Sequence, residues 1–110
     1  MVQVKVSIVI TSYNHDEFLE ECIKSAINQS YSQTELLIID DASEDKSRDI
    51  IEKYSKNFYK ILLLKENHGA CIALNKILKF CRGDYVAVLN SDDYWQPNKV
   101  QLQVDYLEAN

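Results

Sequence analysis

Two pairs of adjacent aspartates are the residues in this sequence that could do chemistry. Asp40 and Asp41 follow one apolar run, and Asp92 and Asp93 follow another. Neighbouring carboxylates repel each other unless they face water or a cation. Mg²⁺ and Mn²⁺ prefer oxygen ligands and are often held by one or two carboxylates together with substrate phosphate. The second pair therefore predicts a divalent metal held by Asp93 and Asp92 against a phosphorylated ligand.

An aspartate that follows a strand also commonly caps the next helix. For Asp40 and Asp41 taken alone, that structural role is the more frequent one. For Asp92 and Asp93 it fits less well, because the next helical pattern starts only at Pro97.

The elements that must position these aspartates alternate between strand and helix. Short runs rich in Val, Ile and Leu predict strands at 4–10, 35–40, 60–65 and 85–90. Their nearly continuous hydrophobicity is typical of parallel strands covered on both faces. Apolar residues at helical spacing predict helices at 16–28, 45–56, 69–81 and 97–108. Ser43 or Asp45 would cap the second helix, and Gly83 would end the third.

This βαβαβαβα order predicts an α/β fold with helices on both faces of a mainly parallel sheet and an expected strand order of 3-2-1-4. Such half-Rossmann sheets bind ligands beyond the carboxyl ends of the strands, where the order reverses, here between strands 1 and 4. The two acidic pairs would lie about 10 Å apart, at two strand spacings. Thr11 and Tyr13 would lie between them. A nucleoside fits this span, with its base by Asp41 and Tyr13 and its phosphates by Asp92 and Asp93.

Composition disfavours several other classes of protein. The 110 residues suffice for one domain with a single core. The net charge of −5 argues against a nucleic-acid partner. No apolar run approaches the roughly 18 residues of a transmembrane segment, and neither glycine-rich phosphate-loop motif occurs. Cys22, Cys71 and Cys81 fall on predicted helices, so we expect buried thiols in a reducing cytosol.

Four stretches cover nearly the whole chain and match one known family in order. They are VSIVITSYNHDEFLEECIKSAINQSY, ELLIIDDASEDKS, KENHGACIALNKIL and GDYVAVLNSDDYWQPNKV. Together they resemble the nucleotide-binding half of glycosyltransferase family 2, whose members are inverting enzymes of the GT-A fold. The resemblance implies a nucleotide-diphospho-sugar donor, usually a UDP-sugar, with Mn²⁺ or Mg²⁺ as cofactor and a saccharide or lipid-linked acceptor.

The resemblance also implies a role for each matching residue. Thr11 and Tyr13 would line the nucleotide pocket, with Tyr13 near the base. Asp41 would hydrogen-bond the base, usually uracil. Asp92 would lie near the ribose or the metal, and Asp93 would be a metal ligand.

In this family the acceptor site and the general base lie in a second half. Residues 1–110 would therefore be the donor-binding part, and the base that takes the acceptor's proton is expected beyond Asn110. No catalytic residue is assigned, and this part alone is expected to be inactive. Bacterial relatives build cell-surface polysaccharide, so we expect a cytoplasmic location, at the inner face of the membrane through regions outside this chain. Apolar surface left open by the missing half would favour a homodimer.

Two positions depart from the family's pattern. Asn90 stands where an aspartate is frequent, so metal binding would depend on the two aspartates that follow. Leu74 stands where many relatives carry an arginine close to the diphosphate. His68 and Lys76 are the candidates to replace that arginine.

Two other functions remain open at this point. A non-catalytic interaction module could use the same fold without an acceptor site. A receiver-type phospho-acceptor domain also gathers aspartates at strand ends, but it requires an acidic pair after the first strand. This chain has Thr11, Ser12 and Tyr13 there, and it offers no fifth strand.

Overall fold

The computed structural model describes residues 3–109 as alternating strands and helices. The strands are β1 (Val6–Ser12), β2 (Thr34–Asp40), β3 (Lys60–Leu63) and β4 (Tyr85–Asn90). The helices are α1 (Asp16–Ile27), α2 (Ser47–Lys53), α3 (Ala70–Leu78) and α4 (Lys99–Ala109), and a 3₁₀ turn spans Ser55–Asn57. The predicted alternation is confirmed, although β1 begins and ends two residues later than expected and α2 is shorter than expected. None of the helices within residues 3–109 has the length and apolar character needed to cross a membrane.

The described residues form one sheet of four parallel strands in the order β3-β2-β1-β4. The register pairs Ser12 of β1 with Asp40 of β2, and Thr11 of β1 with Asn90 of β4. Because parallel strands end at the same edge, these polar residues come together there. The order confirms the sequence-based prediction and places the switch point between β1 and β4.

Apolar layers cover both faces of the sheet. One layer joins the sheet to α1, α2 and α4, and its buried side chains include Ile8, Ile10, Leu19, Ile23, Ile38 and Val100. The other layer joins β1 and β2 to α3 through Val9, Leu37, Ile39, Ala73 and Ile77. Strands β1 and β2 are therefore buried on both sides, which explains their almost continuous hydrophobicity.

Strand β4 is covered on one face only, so the expectation of two covered faces is wrong for this strand. Val86 and Val88 remain 43% and 42% exposed, because α3 packs over β1 and β2 instead. Among the described residues, β1 is the only strand that pairs with β4. An apolar groove of about 640 Å³ runs between β4 and α4. The homodimer expected from exposed apolar surface stays a prediction.

The expectations for the cysteines and for Gly83 are only partly met. Cys22 is buried as predicted, but Cys71 is exposed and Cys81 is half-buried. Helix α3 ends before Cys81, so Gly83 does not cap it. Glycine is needed at this position for another reason. A Cβ atom on Gly83 would lie 2.6 Å from the backbone nitrogen of Ser7, which is closer than side chains approach backbone.

Glu35 anchors the edge of the sheet that lies opposite the polar strand ends. Its buried carboxylate accepts hydrogen bonds from Ser7 Oγ at 2.6 Å and from the Arg82 backbone N–H and Nε at 2.7 and 2.8 Å. Lys5 Nζ lies 3.4 Å away. Burial alone would raise the pKa of Glu35, but the hydrogen bonds from Ser7 and Arg82 and the charge of Lys5 outweigh it and lower the pKa to about 2.

The substitution Glu35→Gln is expected to destabilise the fold in a pH-dependent way. Because the folded pKa of about 2 lies below the ordinary 4.5, ionised Glu35 stabilises the fold fully above pH 4.5. This stabilisation is lost as the pH falls from 4.5 towards 2. We expect the variant's free energy of unfolding at neutral pH to be lower by about 2–3 kcal/mol, measured by urea denaturation.

The exposed Glu21 on α1 provides the matched control, Glu21→Gln. The difference in free energy of unfolding between wild type and Glu35→Gln should shrink towards zero as the pH is lowered towards 2. Two results would contradict this role for Glu35. One is a loss of unfolding free energy in Glu35→Gln that is no larger than the loss in Glu21→Gln, and the other is a loss that does not change with pH.

Candidate functional site

A cleft of about 580 Å³ opens at the carboxyl ends of β2, β1 and β4. The chain from β1 into α1 contributes residues 11–15, the end of β2 contributes Ile39 and Asp41, and the end of β4 contributes Asn90, Ser91 and Asp92. The remaining wall comes from Asn67, Gly69, Ala70 and Ala73. Thr11, Tyr13, Asp41 and Asp92 were predicted from the sequence and line this one cleft, whereas Asp93 lies outside its lining.

Asp40 is buried beneath the cleft, where it shapes the loop between β2 and α2. Its carboxylate accepts hydrogen bonds from Ser12 Oγ at 2.9 Å and from the Ser43 backbone N–H and Oγ at 2.9 and 2.6 Å. Arg48 Nε donates to the same carboxylate at 3.1 Å and supplies the opposite charge that a buried carboxylate needs. The resulting turn holds Ala42 at φ 63°, a conformation that costs a non-glycine residue about 1–2 kcal/mol.

Helix α2 does not start from the predicted capping residues. It begins at Ser47, and Lys46 occupies the N-cap position instead of Ser43 or Asp45. Asp45 still contributes at this point, because its carboxylate accepts hydrogen bonds from the backbone N–H groups of Ser47 at 2.8 Å and Asp16 at 3.0 Å. Asp45 therefore ties the start of α2 to the start of α1.

Asn14 joins the two loops that follow β1 and β2. Its backbone N–H donates to Ser43 Oγ at 3.0 Å, and its Oδ1 accepts from the backbone N–H of Glu44 at 2.8 Å. Asn14 has φ 50°, in the left-handed region that asparagine tolerates better than most residues. The neighbouring Tyr13 lines the cleft with 43% of its surface exposed. An aromatic ring placed in this way can stack on a flat ligand.

Asp41 holds the opposite wall of the cleft. Its carboxylate accepts hydrogen bonds from the backbone N–H groups of His68 at 2.8 Å and Gly69 at 2.9 Å, directly before α3. Negative charge is favourable at the start of a helix. Asp41 therefore holds the two residues that lead into α3, and it does not cap α2. Each carboxylate oxygen can accept a second hydrogen bond, so Asp41 keeps capacity for a ligand.

The acidic pair after β4 lies in an exposed turn. The backbone N–H of Asp93 donates to the carbonyl oxygen of Asn90 at 3.0 Å, and Asp93 Oδ1 accepts from the backbone N–H of Tyr94 at 2.8 Å. Neither Asp92 nor Asp93 caps the next helix, because α4 begins only at Lys99. The acidic pair therefore has no capping role that would explain it.

The far end of α1 holds the loop between β4 and α4 in place. Gln29 Nε2 donates to the carbonyl oxygen of Gln96 at 2.8 Å, and Gln29 Oε1 accepts from the backbone N–H of Val100 at 2.9 Å. Ser25 Oγ accepts from the backbone N–H of Trp95 at 3.1 Å. The sequence analysis missed Gln29 and Ser25, which together fix the loop that carries the acidic pair.

Cys22 lies beneath the end of β4, with its Sγ 3.5 Å from the carbonyl oxygen of Asn90. Burial raises the pKa of this thiol to about 12, and the negative charges of Asp93 and Asp92 act in the same direction. A thiol with so high a pKa stays protonated at neutral pH. Cys22 is therefore a packing residue and not a nucleophile.

The chemistry of the acidic turn fits a divalent cation that a phosphorylated ligand helps to hold. Within residues 3–109, no cluster of three or more His, Cys, Asp or Glu side chains forms a site for a metal by itself. Mg²⁺ is commonly bound by one or two carboxylates, with water and substrate phosphates as its other ligands. The exposed carboxylates of Asp92 and Asp93 match that donor set.

The candidates for replacing the family's arginine are not among the residues that line the cleft. Neither His68 nor Lys76 is among its lining residues, and neither is Leu74. His15 does line the cleft, although the sequence analysis did not single it out. Asn14 and Asn67 are further lining residues that it missed.

Comparisons with known proteins agree with this architecture. Residues 7–110 match the profile of the family described as Glycosyl transferase family 2. TuaG of Bacillus subtilis (strain 168), a glycosyltransferase whose name assigns it to teichuronic acid biosynthesis, is 39% identical over 104 residues. These residues make up 93% of this chain and 41% of TuaG.

A second relative and a solved structure show the same partial coverage. WfaP of Escherichia coli, a UDP-Glc:alpha-D-GlcNAc-diphosphoundecaprenol beta-1,3-glucosyltransferase, is 39% identical over 106 residues, which are 94% of this chain and 41% of WfaP. The structure of Staphylococcus aureus TarS 1-349 in complex with UDP-GlcNAc superimposes with a TM-score of 0.86 at 26% identity. The superimposed region makes up 96% of this chain and 31% of the TarS chain. The chain thus spans about two fifths of the length of the two relatives.

The substitution Asp41→Asn is expected to loosen the loop before α3. An asparagine side chain offers one carbonyl oxygen where the carboxylate accepts two backbone N–H groups, so one of His68 and Gly69 loses its partner. Loss of one such bond, about 1–2 kcal/mol, should accelerate hydrogen exchange at these two amides about tenfold, measured by NMR without ligand.

The exposed Asp49 on α2 supplies the control, Asp49→Asn. Exchange at His68 and Gly69 that is equally slow in both variants would show that Asp41 does not hold this loop.

Proposed function

Because the chain belongs to glycosyltransferase family 2, we propose that it binds the nucleotide-diphospho-sugar donor of an inverting sugar transfer. The observation that carries this proposal is the cleft at the switch point of the sheet. It brings Thr11, Tyr13, Asp41 and Asp92 together from three different strand ends. Sheets of this kind bind their ligands at this position.

The base of the nucleotide is placed at the β2 end of the cleft. Tyr13 offers an aromatic ring for stacking, and Asp41 offers a hydrogen-bond acceptor to the N–H group of a uracil ring. Thr11 lies between the two ends, and its hydroxyl is held by a hydrogen bond to Asn90 Oδ1 at 3.0 Å. The ribose would cross β1 here, which leaves the diphosphate at the end of β4, near Asp92.

Asp93 and Asp92 are the proposed ligands of Mn²⁺ or Mg²⁺. When bound, such an ion neutralises charge on a departing nucleotide diphosphate. The role of the chain itself is to hold the two carboxylates at the diphosphate end. The bonds from Gln29 and Ser25 to the following loop serve this purpose, because they limit the movement of the turn.

The relatives support a uridine nucleotide and a polysaccharide product. WfaP is named for a UDP-Glc donor and a diphosphoundecaprenol-linked acceptor, and TarS was solved with UDP-GlcNAc. By this similarity we expect a UDP-sugar donor, a saccharide or lipid-linked acceptor, and a part in bacterial cell-surface polysaccharide synthesis at the cytoplasmic face of the membrane.

The acceptor site and the general base are proposed to belong to a second part of the enzyme. TuaG and WfaP each extend well beyond the region that matches, since this chain covers 41% of either protein. The residues described here supply donor binding, and none of them is assigned the role of the base. On this proposal, the donor part alone would bind nucleotide without transferring sugar.

Titration with UDP tests the donor site directly. We expect saturable binding by calorimetry in the presence of Mn²⁺, and NMR shifts at Thr11, Tyr13 and Asp41 when Mg²⁺ is used instead. Asp93→Ala should reduce the affinity measured with the metal about tenfold, because a charged ligand is lost, while the affinity measured in EDTA stays unchanged. Asp92→Ala should act in the same direction.

The control variant is Asp105→Ala, in which the lost carboxylate lies on the exposed side of α4. Absence of any UDP binding at millimolar concentration would contradict the proposed donor site and would favour a non-catalytic interaction module. If UDP still binds, and the metal raises the UDP affinity of Asp93→Ala as much as that of wild type, Asp93 is not a metal ligand.

A further inference from the structure

His15 is the one histidine among the described residues that line the cleft. Within the part of the chain that the structure describes, the cleft is lined by no lysine or arginine, and its charged groups are the carboxylates of Asp41 and Asp92. A diphosphate placed at the β4 end therefore meets a wall that is otherwise neutral or acidic. His68 and Lys76, the other candidate donors, lie outside the lining.

Two contacts fix the imidazole ring of His15. Nδ1 lies 2.9 Å from the hydroxyl oxygen of Ser91, a residue that is only 1% exposed. The edge of the ring packs against Phe18, with 6.4 Å between ring centroids and an angle of 65° between the ring planes. The ring is thus held beside the turn that carries the acidic pair, although His15 and Ser91 are far apart in sequence.

These contacts determine what the free side of the ring can offer. The buried Ser91 hydroxyl needs an acceptor, and Nδ1 of His15 is the partner that lies within reach. When Ser91 donates to Nδ1, the ring proton of a neutral imidazole lies on Nε2. Within residues 3–109, Nε2 of His15 makes no hydrogen bond. It is therefore available as a donor to a ligand.

We propose that His15 binds the diphosphate of the donor through its Nε2–H group, and that Ser91 and Phe18 orient the ring for this contact. The inference rests on the proposed donor site and adds to it a phosphate-binding residue. On this proposal, His15, which directly precedes α1, supplies the side-chain donor that the residues of α3 at the cleft, Ala70 and Ala73, do not offer.

The test compares ligands that differ only in their phosphates. Uridine, UMP and UDP are titrated into wild type and His15→Ala by calorimetry at a fixed Mg²⁺ concentration. We expect His15→Ala to weaken UDP binding about tenfold and uridine binding less than about twofold, because one hydrogen bond to phosphate is lost. His15→Gln, whose amide can donate from a similar position, should recover part of the UDP affinity.

Lys24→Ala is the control, since it removes an exposed positive charge from α1 outside the lining of the cleft. Its affinity for UDP should equal that of wild type. In wild type, the ¹⁵N resonance of His15 Nε2 should shift on addition of UDP and remain in place on addition of uridine. This spectroscopic measurement does not depend on the stability of any variant.

Four outcomes would overturn the inference. Equal weakening of uridine and UDP in His15→Ala would mean that His15 only supports the fold of the loop. Unchanged UDP affinity, or an Nε2 resonance that does not respond to UDP, would show that the ring does not contact phosphate. If wild type binds neither uridine nor UDP, the donor site itself is absent and the inference fails with it.

Discussion

The parallel pairing of β1 with β2 on one side and with β4 on the other fixes where the polar groups of this protein can meet. Because β1 is buried on both faces, a shift in its register would disrupt the packing of its side chains against both apolar layers. The register places Ser12 beside Asp40 and Thr11 beside Asn90. The residues that line the cleft lie at or just after these strand ends, or come from the segment around the start of α3.

The four aspartates at this edge show how burial separates structural from functional carboxylates. Asp40 is fully buried, and its hydrogen bonds with Ser12, Ser43 and Arg48 are all internal. Asp41 is nearly buried and orders the start of α3 while it lines the cleft. Asp92 and Asp93 stay in water, where adjacent carboxylates repel least and where a cation can reach them. Sequence position alone does not distinguish these environments.

The order of the elements could be predicted because it depends on local patterns of hydrophobicity. The convergence of Thr11, Tyr13, Asp41 and Asp92 followed from that order, since parallel strands must end at one edge. The open face of β4 could not be predicted, because Val86 and Val88 have the same apolar character as covered residues. Their exposure depends on where α3 packs, which no local pattern records.

Contacts between distant parts of the chain also escaped prediction. Asp41 holds the two residues before α3, which starts 29 residues later in the chain at Ala70, and not the start of the helix that follows it directly. His15 and Ser91 are 76 positions apart and meet only because β1 and β4 are neighbours. The exposed Cys71 shows the same difficulty, because an apolar helical pattern does not specify which side of a short helix faces water.

The central claim is that a nucleotide lies across the ends of β2, β1 and β4 with its base at the β2 end. Intermolecular nuclear Overhauser effects in a complex with UDP and Mg²⁺ test this placement directly. The account predicts contacts from the uracil H5 and H6 protons to the ring protons of Tyr13. Contacts from those protons to Val86, Val88 or Leu102 in the groove between β4 and α4 would contradict it.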